Sequence, residues 1–176
     1  MAILKVSRLG HPVIRTPAAA VPKETIASPQ MQQFIEDMVE TMREYEGVGL
    51  AAPQVHVPKQ VAVIEVQQNR RYPGEAPVPL TVLINPRITQ ISKNQIEDWE
   101  GCLSVDGLRG RVPRAESLEV EAYNRKGEKV KFQARGFFAR VIQHECDHLL
   151  GKVFMDRMSN LATLTHLQEF IRYWRD

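Results

Sequence analysis

The sequence predicts a single α+β domain over residues 1–176, mainly antiparallel strands around a central buried helix, with one helix toward each end. Three observations predict it. Apolar residues recur at helical spacing near both ends of the chain. Between them lie short β-branched runs, two of which flank a tight polar turn. The segment from 136 to 151 is apolar on nearly every side, which places a helix in the core.

Each element has its own local reason. In "SPQMQQFIEDMVETMREYEG", Ser28 can cap a helix and Pro29 suits its first position. Phe34, Ile35, Met38, Val39, Met42 and Tyr45 form its apolar stripe and read as core, and Gly47 ends it. "KQVAVIEVQ" reads as a strand, "RRYPGEAPVP" as a loop, and "LTVLINPRI" as a second strand stopped or edged by Pro86. "SLEVEAYNRKGEKVKFQAR" reads as a hairpin: Leu118, Val120 and Ala122 alternate into "NRKG", and Val130 and Phe132 alternate on the return. Gly136 then opens the buried helix and Gly151 closes it. In the last eighteen residues Leu161, Leu164, Leu167, Phe170, Ile171 and Trp174 lie at helical spacing.

Composition excludes several classes. The chain is 43% apolar and 25% charged, as globular proteins are, and a net charge of +2 gives no reason to expect nucleic-acid reading or an anionic membrane surface. No apolar run approaches a membrane span, and the first twenty residues lack a continuous apolar signal region. Cytoplasmic residence is therefore expected, with Cys102 and Cys146 unbridged.

The chemistry sits in "RVIQHECDHLLG". His144 and His148, four residues apart, lie one above the other on a helix and can grip one metal ion. Glu145, about a third of a turn round, can take a proton from water beside that ion. The alternative is a buried helix whose polar residues find ordinary hydrogen bonds. Catalytic zinc-like sites usually take a third protein ligand. His11, His56 and His166 each stand alone and read as surface or structural histidines. Cys102, in "DWEGCLSVDG", follows a glycine and precedes a polar turn; it is either that third ligand or a small buried residue, and spacing leaves both open. Cys146 lies roughly 160° to 200° round the helix from both histidines and should face the core. In "EGVGLAAPQVHVP", Gly47 and Gly49 permit close approach by a ligand. A helix end running into a strand explains Gly47 and Pro53 but not Gln54.

"GVGLAAPQ" at 47–54, "EGCLS" at 100–104 and "QHECDHLLG" at 143–151 resemble, in this order and spacing, the three signature motifs of the peptide deformylases. "GHPVIRTPA" and "LINPRI" extend the resemblance over most of the chain. It implies a metal-dependent hydrolase that removes the formyl group from the N-terminal formylmethionine of newly made polypeptides. It implies Fe2+ as the native ion, with Zn2+, Ni2+ or Co2+ as substitutes. Carried over by position, Cys102, His144 and His148 would hold the metal, Glu145 would act as general acid–base, and Gln54 with the backbone N–H of Leu103 would stabilise the oxyanion. Val48, Gly49, Arg109, Phe137 and His144 fall where the family shapes the methionine pocket and peptide groove. Three features depart from the pattern: Cys146 stands where a larger residue is common, the loop from Gln67 to Pro79 is longer than in some members, and Arg140 replaces what is often apolar.

Two other readings compete. A zincin-type metalloprotease shares H-E-x-x-H, but it lacks a third ligand on a following helix and leaves "EGCLS" unexplained. A non-catalytic peptide- or ribosome-binding domain would usually close a structural metal with four ligands, and only three are found. Transient ribosome association stays open, because the last helix sets Arg172 and Arg175 beside Glu169 and Asp176.

Overall fold

The computed structural model of the chain describes residues 2–67 and 74–175. After a single turn, α1 (Pro12–Arg15), the long helix α2 (Pro29–Glu44) starts where expected, with Ser28 Oγ accepting from the Met31 N–H. Met31, Ile35, Met38, Val39 and Met42 are buried. Burying such side chains contributes on the order of 1.5–3 kcal/mol each. Tyr45 is exposed, because the helix ends at Glu44 and Gly47 N–H turns back to the Met42 carbonyl.

β1 (Gly49–Ala51), β2 (Val61–Val66), β3 (Val78–Ile91), β6 (Ser117–Tyr123) and β7 (Lys129–Arg135) form an antiparallel five-stranded sheet in the order β1-β2-β3-β6-β7. β2 is buried on both faces, which is why its sequence is a continuous apolar run and not an alternating one. Val61 and Val63 pack with α2, and Ile64 and Val66 with α3 (Gly136–Leu149) on the other face. Of the expected loop at 70–79, residues 70–73 lie outside the described residues and 78–79 already belong to β3.

Pro86 does not stop β3. The strand bulges between Ile84 and Arg87, where Asn85 takes a positive φ of 52° and ties down Val21 through both ends of its amide. A proline is tolerated in a bulge because the ladder asks no donor of it there.

The sequence reading had no strands between 95 and 115. The chain there forms a hairpin, β4 (Gln95–Cys102) and β5 (Val105–Ala115), turned by Leu103 and Ser104. The C-terminal stripe is also only partly helical: β8 (Thr165–His166) pairs with β5 before α4 (Leu167–Tyr173) begins. Thr163 Oγ1 accepts from the Arg111 N–H. Edge groups of β5 thus hold Thr165 and His166 in extended chain and fix Thr163 in the turn before them. Leu161 and Ile171 are exposed, not core.

The hairpin packs through Cys102, Val105 and Val112 on Ile14, Val153 and Phe154. β4 and β1 are both edge strands of their sheets, and both border one cleft whose floor is α3. No helix among the described residues is long and apolar enough to cross a membrane.

Candidate active site

Three elements meet at the cleft. α3 sets His144 and His148 one turn apart, their rings 4.9 Å between centroids and nearly perpendicular. β4 brings Cys102 to the same point, its Sγ 3.2 Å from His148 Nε2. One donor atom from each of the three residues lies within 4.8 Å of the others. Burial alone would push a thiol up; the imidazoles of His148 and His144 outweigh it and hold Cys102 well below the ordinary thiol value. A buried cysteine sulfur grouped with two imidazoles is a donor set that suits a divalent transition metal.

Glu145 borders this group. Its Oε2 is buried and meets no hydrogen-bond partner, and His148 Nδ1 shares that condition. Burial is the main force pushing the Glu145 carboxyl up to about 7. The carboxylate is seated against β1: a methyl group on Gly49 would lie 2.3 Å from Oε1. Only glycine admits Glu145 at that position.

Gln54, buried in the 3-10 turn Ala52–Val55, has its amide orientation fixed. Oε1 accepts from the Ala51 N–H at 2.8 Å, so Nε2 points to Cys102 Sγ (3.5 Å) and Ser104 Oγ (3.3 Å). It therefore braces its loop and aims an N–H donor at the cysteine. Leu103 opens the β4–β5 turn beside it.

The sequence reading gave Glu100 no role. Its Oε1 accepts from Arg114 Nε (2.9 Å) and Arg140 Nη1 (2.8 Å), and its Oε2 from Arg114 Nη2 (3.1 Å). Oε2 also lies 2.9 Å from His144 Nδ1. Burial opposes the charge, but His144 and Arg114 hold this carboxyl far below its usual range. A carboxylate there fixes the proton on Nδ1 and leaves Nε2 free to bind a metal. Asp147 extends the network to Arg114 and Arg157. Arg140 is thus engaged throughout, also donating to the carbonyls of Ile96 and Val112. A signal for Glu100 was present: two residues before Cys102 on a strand, it must share the cysteine's face.

Val48, Gly49 and Phe137 line the cleft with His144, joined by Trp99, Gly101 and Val141, to which the sequence reading gave no role at the site. Arg109 is buried, with its guanidinium against Gly101 at the cleft, and lines an adjoining cavity with Cys102, Leu103, Lys5 and Asp106. Cys146 packs with the sheet-facing cluster, and burial pushes its thiol up to about 12. His11 and His56 are exposed and stack edge to face on each other, and His166 is exposed in β8.

This fold and cleft have clear relatives. The polypeptide deformylase family profile matches residues 3–163. "Peptide deformylase 1" of Bordetella pertussis is 44% identical over 161 residues, covering 92% of this chain and 89% of that protein. "Peptide deformylase 2" of Pseudomonas putida is 42% identical over 160 residues, covering 91% and 90%. The class I type b peptide deformylase of Acinetobacter baumannii, in its Met-Ala-Ser bound crystal structure, superposes with a TM-score of 0.87 at 38% identity, covering 89% of this chain and 99% of that one. The chain is an enzyme of the polypeptide deformylase family.

Proposed function

We propose that the chain removes the formyl group from the N-terminal formylmethionine of newly made polypeptides, releasing formate and the free amine. One observation carries this reading: an unpartnered buried carboxylate, Glu145, stands beside a Cys102–His144–His148 donor set on the floor of a cleft between two open strand edges. Open edges suit an extended peptide, which gains main-chain hydrogen bonds by strand addition. The Met-Ala-Ser complex of the Acinetobacter protein supports a peptide N-terminus as the occupant.

Cys102, His144 and His148 would hold one divalent ion, Fe2+ natively and Zn2+, Ni2+ or Co2+ as substitutes. When bound, the ion supplies Lewis acidity and makes hydroxide available near neutral pH. The rest falls to the side chains. Val48, Gly49, Phe137 and His144 would receive the methionine side chain against an apolar wall, and Arg109 would border the groove beyond it. Glu145 would take the proton from the attacking water and return it to the departing amine, a role typically worth a hundred- to ten-thousand-fold. Gln54 Nε2 and the Leu103 N–H would donate to the oxygen of the tetrahedral intermediate. One such donor is typically worth about 3 to 4 kcal/mol. Such substrates fit a bacterial cytoplasmic enzyme that meets new polypeptides as the ribosome delivers them; cosedimentation with ribosomes tests whether it associates with them.

Product identity tests the reading. Metal-loaded protein given formyl-Met-Ala should release formate and leave Met-Ala intact. Cleavage of the Met–Ala bond would mark a peptidase instead.

Gln54→Glu separates the residue's two jobs. Glutamate keeps the oxygen that accepts from Ala51 but loses the N–H aimed at Cys102. A buried carboxylate beside Cys102 should lower the melting temperature; at a temperature where the variant is folded and metal-loaded, kcat and kcat/KM should fall together by about a hundred- to a thousandfold. An unchanged kcat in folded, metal-loaded variant would leave Gln54 as a loop brace alone.

A further inference from the structure

α4 carries no buried residue, so core burial does not account for its place in the fold. Its apolar side chains at i, i+3 and i+7 point to one surface, the outer face of the β4–β5 hairpin. Leu167 lines the cavity that also holds Leu103 and Arg109. The Phe170 ring lies 5.0 Å from the Trp99 ring, and the Trp174 ring lies 5.8 Å from it. β8, immediately before α4, is hydrogen-bonded to Leu108 and Arg109. The C-terminal segment is therefore built onto the strands that border the cleft.

Strand alternation decides what that surface faces. Glu100 and Cys102 point inward to α3, so Trp99 and Gly101 belong to the opposite face of β4. Both also line the cleft, so they form its lip. The Arg109 guanidinium lies over Gly101, where a methyl group would come within 1.6 Å of Nη1. An extended peptide along the free edge of β4 alternates in the same way. With the methionine side chain directed inward, the next side chain emerges on the face of Trp99 and Arg109.

We propose that α4 is part of the substrate-binding surface. Through Phe170 and Trp174 it holds the Trp99 ring at the cleft lip, where that ring and Arg109 seat the side chain of the residue after formylmethionine and favour an apolar or aromatic one. This rests on the deformylase reading above. Trp99 is the contact residue; Phe170 and Trp174 are positioning residues acting through it.

The chain has two tryptophans, and both are here, so tryptophan emission, excited where tyrosine does not absorb, reports on this spot alone. The test compares formyl-Met-Phe-Ser with formyl-Met-Gly-Ser on metal-loaded wild type, Trp174→Ala, Trp99→Ala and the double variant. Wild type should prefer the phenylalanine peptide. Trp174→Ala should reduce the Phe/Gly ratio of kcat/KM roughly three- to tenfold, through KM. Trp99→Ala should abolish the preference, and adding Trp174→Ala should then change nothing further. Trp99→Phe should restore part of it, and serves in place of the alanine variant if that one fails to fold. Met-Phe-Ser should shift the tryptophan emission of wild type more than Met-Gly-Ser does. Equal losses on both peptides, a change in melting temperature alone, or additive effects in the double variant would overturn the proposal. No formate from either peptide in wild type would instead be failure of the deformylase reading, and this proposal would fall with it.

Discussion

Glu145→Gln is expected to fold, to bind metal as before, and to release formate at least about a hundredfold more slowly. Glutamine is nearly isosteric, so it fits against Gly49 where no bulkier residue would. Its amide cannot accept the proton of the attacking water. Stability should not suffer. The wild-type Oε2 is buried without a partner, and a neutral amide costs less to bury than a carboxylate. Lower activity together with full metal content and an equal or higher melting temperature is the combination to look for. Near-wild-type turnover at full metal content would remove Glu145 from the mechanism.

The two cysteines should part company just as sharply. Cys102→Ala deletes the sulfur that lies 3.2 Å from His148 Nε2 and faces the Gln54 amide. Loss of the thiolate should empty the site of metal on ordinary purification and take formate release with it. Cys146, between the two histidines in sequence, packs on the sheet side of α3 with Val141 and Ile142. Cys146→Ala should keep metal and activity and show only a packing cost of about 1 kcal/mol. Elemental analysis of both variants decides the matter. Full metal in the Cys102 variant, or loss in the Cys146 variant, would mean the ligand set is wrong.

Legibility in the sequence followed the strength of local patterns. α2 was clear from its Ser28–Pro29 start and methionine-rich stripe, and the β6–β7 hairpin from alternation around a turn. The β4–β5 hairpin was not. Gly101, Gly107, Gly110 and Pro113 interrupt any strand pattern in the sequence, and the first half of β4 faces solvent, so no apolar alternation marked it. The H-E-x-x-H pair needed only one helix turn to be seen. The carboxylate that orients His144 needed β4 as well: Glu100 is 44 residues from it in the chain. Arg114, Arg140 and Arg157 were equally silent, because an arginine that pairs across elements looks in sequence like any surface arginine. The C-terminal stripe predicted a helix; edge pairing with β5 takes Thr165 and His166 into a strand, and the helix that follows is seated on Trp99.

The most direct measurement titrates metal and activity together. Protein stripped by a chelator is reloaded with Fe2+ under anaerobic conditions while formate release from formyl-Met-Ala is followed. Activity should be absent without metal, rise linearly, and break at a single ion per chain, with no such rise in Cys102→Ala. Formate release that survives stripping, or that appears on loading the Cys102 variant, would contradict a metal-dependent deformylase centred on Cys102, His144 and His148.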